Sequence, residues 1–244
     1  MGYSTHFTPA RDDREEAPYS IDDMVGDVKG ILDAYNADRA FIVGHSLGGT
    51  IAALFALRYP QMVESLFLMS SPIIAFGGNV YQETDPTIMG AMWEVLMSNK
   101  MYPDYERGKD EFFRAWRFLN GKRNLDETMA AEYTKRLYET ETIEPAYNHT
   151  KVQSGIRDVY DELKALPCPI HFVYGNEDYL AASSANTKTL ADSLPNADFT
   201  CLSGAGHMYF DRDIWDSVLN LITLPKPFNF AFETTRGGCK NLDD

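Results

Sequence analysis

Residues 40–69 read AFIVGHSLGGTIAALFALRYPQMVESLFLM, and the succession of textures within them decides the fold. Ala40 to Val43 is a short apolar, β-rich run, which suits a buried strand of a parallel sheet. Gly44-His45-Ser46-Leu47-Gly48 follows directly and has the form G-x-S-x-G. A helix is predicted from about Leu47 to Tyr59, stopped by Pro60, and Val63 to Met69 reads as a second buried strand. A serine hydroxyl is a poor nucleophile unless its oxygen is presented and its proton removed. A sharp strand-to-helix turn presents it, and crowding of the flanks predicts glycine at both Gly44 and Gly48. The helix that follows aims its first amides at the same spot, so the backbone N–H of Leu47 is the candidate oxyanion donor.

Working outward, residues 1–20 are polar, carry Pro9 and Pro18, and read as loop. Ser20 has the place of an N-cap, with Asp23 three positions on as its capping-box carboxylate. Ile21, Met24, Val25, Val28, Ile31, Leu32 and Tyr35 then form one stripe of an amphipathic helix. From Pro72 to about Ser154 strand-like runs vanish, and aromatic and charged residues mix at helical spacing, which predicts an all-helical insertion. The sheet pattern resumes after Leu163, with Pro169 to Gly175 as a strand, a helix over about 183–194, a strand near 199–202 and a helix over about 210–224. Helices alternating with short apolar strands imply a mostly parallel sheet with crossover helices. The predicted organisation is core over 1–71, helical insertion over 72–154, core again over 155–224, and a loosely held tail over 225–244.

A G-x-S-x-G turn of this kind takes its partners in the chain order serine, acid, histidine. Of the five histidines, His6 and His45 come too early, His149 falls in the insertion, and His171 lies inside a strand, where a packed histidine is expected. His207 follows the last strand in the flexible run Gly204-Ala205-Gly206-His207, where a general base belongs. The acid should stand just beyond the preceding strand, which ends in Gly175-Asn176-Glu177-Asp178. Asp178 is the choice to orient the imidazole, with Glu177 the competing carboxylate and otherwise a solvated charge.

The net charge of −14 argues against nucleic acid or an anionic membrane surface as a partner. Cys168, Cys201 and Cys239 show neither metal-ligand spacing nor a disulfide framework, so reduced thiols are expected. Asn148-His149-Thr150 fits a glycosylation sequon. The first residues lack the apolar core of a secretory signal, and no run approaches membrane-spanning length, so a cytoplasmic location is the expectation. No metal or organic cofactor is implied.

On these motifs the chain resembles the α/β-hydrolase superfamily. Residues 40–72 resemble the family's elbow strand, elbow, helix and next strand; CPIHFVYGNEDYLAA resembles the strand and acid turn, and GAGHMYFDR the histidine loop. MGYST with YSIDDMVGDVKGILDAYNADRA resembles the segment after the family's R-G-x-G-x-S turn, and the helical stretch would be the family's cap. The resemblance also implies that the N-terminal strands of the sheet, with the H-G-type loop that supplies a second oxyanion amide, are missing from this chain. That would leave an apolar edge at the elbow strand, from a shortened chain or one completed by a second copy or a partner. Serine at position 46, where haloalkane dehalogenases and epoxide hydrolases of the superfamily carry aspartate, implies acyl chemistry instead.

The expected function is therefore hydrolysis of a carboxylic ester or similar acyl bond of a small, largely apolar substrate through an acyl-enzyme on Ser46. A non-enzymatic or impaired scaffold and an acyltransferase with the same triad are the alternatives. His45 and Met208, beside the nucleophile and the base, and Trp93 and Trp116 of the aromatic-rich insertion are the candidates to line the substrate.

Overall fold

The computed structural model describes residues 19–75, 78–79, 104–139, 152, 156–180 and 184–223. The chain enters helix α1 (Ile21–Ala34) through a capping box, in which Ser20 accepts from the Asp23 amide and Asp23 accepts from the Ser20 amide. Ile21 and Val25 of its stripe are buried and Met24, Val28 and Leu32 pack against the core, but Ile31 and Tyr35 face outward. Strand β1 (Ala40–His45) leads into α2 (Leu47–Arg58), a 3-10 turn (Pro60–Met62) and β2 (Val63–Met69). Most of α2 is buried, which suits a helix that is apolar or small on nearly every face.

Beyond β2 the region expected to be all-helical opens with two-residue strands, β3 (Ile74–Ala75) and β4 (Gly78–Asn79), paired antiparallel. Runs of two residues have no periodicity to read. Helices α3 (Tyr105–Leu119) and α4 (Glu127–Glu139) follow, packed through Phe112, Trp116, Leu119 and Ala130. The core then resumes with a short helix α5 (Tyr160–Ala165) that the pattern did not predict, β5 (Ile170–Gly175), α6 (Ser184–Ser193), β6 (Ala197–Leu202) and α7 (Arg212–Thr223). Much of the expected insertion, with Trp93, Asn148 and His149, lies outside the described residues, as do residues 1–18 and the tail.

The main sheet runs β1-β2-β5-β6, parallel throughout. One face packs Ile42, Leu66, Leu68, Ile170 and Phe172 against α1 and α2; the other packs Met69, Val173 and Leu202 against Ile214 and Val218 of α7. Among the described residues β1 is an edge strand rather than a fully buried one: Phe41 and Val43 are 50% and 44% exposed. Among the described residues, Cys168 is a free, buried thiol, as expected, whereas Cys201 is disulfide-bonded, against the expectation of a reduced thiol there.

Every residue of the predicted triad stands just past a strand's carboxyl end: Ser46 after β1, Asp178 after β5 and His207 after β6. In parallel α/β sheets this end gathers loops, and ligand sites form there.

Candidate active site

At the end of β1 the backbone must leave an extended strand and enter a helix within one residue. Ser46 makes the bend at φ 54° and ψ −130°, a conformation that side chains disfavour, held by its amide donating to the Met69 carbonyl at 2.9 Å. It occupies the N-cap of α2, yet its side chain makes no capping bond. The amide of Leu47, in the first turn of the helix, has no intrahelical acceptor.

The two glycines expected in the crowded flanks do not share one role. A Cβ on Gly44 would lie 2.2 Å from the Gly48 carbonyl oxygen, so glycine is required there. A Cβ on Gly48 would meet nothing within 4 Å. The second crowded glycine is Gly49, whose Cβ would fall 1.6 Å from the Ser71 hydroxyl oxygen. Helix α2 crosses β2's outgoing loop at that point, a contact that motif spacing does not reveal.

Past β5, Asp178 is nearly sealed from solvent. One carboxylate oxygen lies 3.1 Å from His207 Nδ1, and the other accepts the Leu180 amide at 2.9 Å. Because a carboxylate accepts, Nδ1 of His207 is the donor, and in the neutral ring that leaves the lone pair on Nε2. Burial pushes the Asp178 carboxyl up. The charge of His207 and hydrogen bonds from His207, Ser70 and the Leu180 amide outweigh it, and the net shift is downward. Glu177, the competing carboxylate, instead binds Lys122 Nζ at 2.6 Å and the Tyr179 hydroxyl at 2.8 Å.

The loop after β6 carries His207 back over the strand ends. Gly175 permits the crossing, since a Cβ there would sit 2.0 Å from the Ala205 carbonyl oxygen. His207 then comes beside the elbow: its carbonyl accepts from His45 Nε2 at 2.7 Å, and the two rings are 4.9 Å apart. A carbonyl cannot donate, so His45 is protonated at Nε2. Burial, then the neighbouring His207 charge, lower the His45 pKa from 6.5 to about 4, keeping the ring neutral.

Ser70, Ser71, Tyr174 and Tyr209 form a buried polar floor that motif reading missed. Ser70 bonds Asp178, and Tyr209 lies 2.8 Å from Ser70. With the ionised carboxylate taking the Ser70 proton, Tyr209 must donate to Ser70. Tyr174 accepts the Ser71 amide at 2.9 Å and donates to the Ser71 carbonyl. Burial pushes both phenols above their ordinary range. The available signal was Ser70-Ser71 directly after an apolar strand, where polar side chains need buried partners.

Of the residues expected to line the substrate, His45 sits at the elbow as described. Met208 is half-buried against α3 and α4, and Trp93 lies outside the described residues. Trp116 is buried, donates its indole N–H to Thr134 at 2.8 Å and packs edge-on to Phe210 at 5.4 Å. His171 is packed, as expected of a strand histidine: it stacks on Phe67 and lies 2.9 Å from both Asp198 oxygens. A separate concavity of about 560 Å³, lined by Asp22, Arg58, Arg157 and Glu162 among others, has these charges paired, Arg58 with Asp22 and Arg157 with Glu162. Among the described residues no group of His, Cys, Asp and Glu could hold a metal ion, and no helix is long and apolar enough to cross a membrane.

A parallel sheet, a strained serine bend after one strand and a buried histidine–carboxylate pair beside it together define an α/β architecture with polar side chains gathered at the strand ends. The sequence profile of the alpha/beta hydrolase fold matches residues 2–213, and the chain belongs to that family. It is 25% identical over 204 residues to 2-hydroxymuconate semialdehyde hydrolase of Pseudomonas sp. (strain CF600), covering 79% of this chain and 64% of that protein. It is 35% identical over 79 residues to epoxide hydrolase B of Mycobacterium tuberculosis, covering 30% of this chain and 22% of that one. The chain thus spans less than two thirds of the length of these two relatives. A meta-cleavage product hydrolase from Pseudomonas fluorescens shares the fold with a TM-score of 0.57 at 21% identity, over 87% of this chain and 73% of that chain.

Proposed function

We propose that the chain is a serine hydrolase that cleaves a carboxylic ester, or a similar acyl bond, of a small and largely apolar substrate. Ser46, His207 and Asp178 would act as its triad. The observation that carries the reading is the arrangement at the strand ends. A serine whose hydroxyl is not spent on capping stands at a strained bend, and the adjacent His45 bonds the backbone of a histidine already oriented by a buried carboxylate.

In this reading the Ser46 hydroxyl oxygen attacks the substrate carbonyl carbon while its proton passes to His207 Nε2. The Leu47 amide donates to the resulting oxyanion. Collapse of the tetrahedral intermediate expels the alcohol, which takes the proton from His207 and leaves an acyl-Ser46. Water, deprotonated by His207, attacks that ester, releases the carboxylic acid and restores the serine. Asp178 holds the Nδ1–H tautomer and stabilises the transient imidazolium without taking its proton. A hydroxyl nucleophile at position 46 suits acyl transfer and weighs against the epoxide chemistry for which one relative is named. Trp116, Met208 and His45 are proposed to border the acyl site, and the helical region to cover it.

Turnover of p-nitrophenyl acetate and butyrate tests the proposal. Hydrolysis should saturate with substrate and vanish in Ser46→Ala with the fold intact by circular dichroism. Equal turnover by Ser46→Ala would overturn it, and no turnover by the unaltered chain would favour a scaffold role instead.

A further inference from the structure

The loop that carries His207 is bonded on both sides. Its odd-numbered residues face the core: the Ala205 carbonyl accepts the Glu177 amide at 2.9 Å, the His207 carbonyl accepts from His45 at 2.7 Å, and the Tyr209 carbonyl accepts from Trp215 Nε1 at 2.9 Å. Its even-numbered residues face the turn between α3 and α4. The Gly204 carbonyl accepts the Lys122 amide at 2.8 Å, the Met208 amide donates to the Leu119 carbonyl at 2.9 Å, and the Phe210 carbonyl accepts the Asp126 amide at 2.6 Å. Gly121 and Ala205 form an antiparallel bridge. The histidine loop thus runs like a middle strand between the core and the helical region.

Asn120 is the centre of this clasp. It ends α3 and is 1% exposed. Its carbonyl accepts the Gly206 amide at 3.1 Å, and its Oδ1 accepts the Phe210 amide at 2.9 Å, so one residue grips the loop on both sides of His207. Its Nδ2 donates to the Arg123 carbonyl at 3.1 Å, which fixes the amide's orientation. Backbone approach is close enough to demand glycine on both strands of the clasp. A Cβ on Gly206 would lie 2.3 Å from the Leu119 carbonyl oxygen, and one on Gly121, at φ 77°, would lie 2.6 Å from the Gly204 carbonyl oxygen. Arg123 adds an ion pair to Asp211 and a bond to the Ser203 carbonyl at 3.0 Å.

We propose that Asn120 is a positioning residue for His207, and that through it the α3–α4 turn sets the reach of the imidazole toward Ser46. The inference rests on reading His207 as the general base. Its physical basis is that a base displaced by about 1 Å loses on the order of 10²-fold in rate, whereas a loop held by alternate bonds on both edges cannot drift. It also makes the helical region part of the catalytic geometry: displacement of α3 pulls on the loop at residues 204, 206, 208 and 210.

Asn120→Ala removes the acceptor for the buried Phe210 amide, and Asn120→Asp restores an acceptor oxygen at the same place. In Asn120→Ala, kcat for p-nitrophenyl acetate should fall by about 10- to 100-fold with KM within about threefold, and Asn120→Asp should recover part of the loss. Amide hydrogen exchange of the full chain should quicken by about tenfold or more over residues 204–210 in Asn120→Ala while β2 and β5 keep their protection. Unchanged exchange at 204–210, or exchange raised equally across the core strands, would overturn the proposal. Should the unaltered chain show no esterase activity, the reading of His207 as base falls, while the exchange measurement still decides whether Asn120 holds the loop.

Discussion

Ser46 holds a backbone conformation, φ 54° and ψ −130°, in which glycine is at ease and serine is strained by roughly 1–3 kcal/mol. Ser46→Gly should therefore raise the urea midpoint, by the equivalent of about 1 kcal/mol, while abolishing ester turnover. A lowered midpoint would mean that the bend stores no strain. His45 makes a second prediction. Its pKa falls from 6.5 to about 4 in the folded chain, so the unfolded chain binds its proton first as the solution is acidified. The stabilisation, about 3 kcal/mol, is complete above pH 6.5 and is lost progressively down to pH 4. Asp178, lowered by its partners, loses its contribution only at more acid pH, below the ordinary carboxylate range. His45→Gln, which keeps a donor but cannot gain a charge, should flatten the stability curve between pH 6.5 and 4; an unaltered slope would contradict the assignment. At this scale chain order and loop position single out Ser46, Asp178 and His207 as candidates, and the structure brings Asp178 and His207 into contact. The sequence did not show Asn120, Ser70 or Tyr209, whose partners lie on segments distant in the chain.

Helix α2 joins the elbow to the core, and its glycines separate two effects that one motif appeared to merge. Gly48→Ala places a methyl in open space inside a helix and should raise stability by about 0.5–1 kcal/mol. Gly49→Ala drives a methyl into the Ser71 side chain and should lower it by about 1–3 kcal/mol. Thermal unfolding distinguishes them, and a common sign for both would contradict the packing described. Among the elements, β1, β2, β5, β6 and the helices α1, α2, α6 and α7 were legible from apolar runs and helical spacing, whereas α3 and α4 were legible only as a helical texture without bounds. The six-residue α5 and the two-residue β3 and β4 were not, because they are shorter than the period that would betray them. The β1 run is apolar on both faces, which suggests full burial, yet its edge position leaves Phe41 and Val43 exposed.

At the scale of the molecule, β1 is an exposed edge among the described residues, with backbone groups and apolar side chains presented together. This edge predicts self-association in sedimentation velocity, which Phe41→Lys with Val43→Lys should reduce while leaving the thermal midpoint nearly unchanged, within about 0.5 kcal/mol of stability. Undiminished association would place the contact elsewhere. The same architecture gathers the carboxyl ends of β1, β5 and β6, and the central claim is that they assemble one reactive serine. Labelling of the intact chain with a fluorophosphonate, read by mass spectrometry, tests it most directly. One adduct per chain is expected, mapped to Ser46, with the rate falling by about 10²–10⁴-fold in His207→Ala. An adduct on another residue, or Ser46 labelled equally fast without His207, would contradict the account.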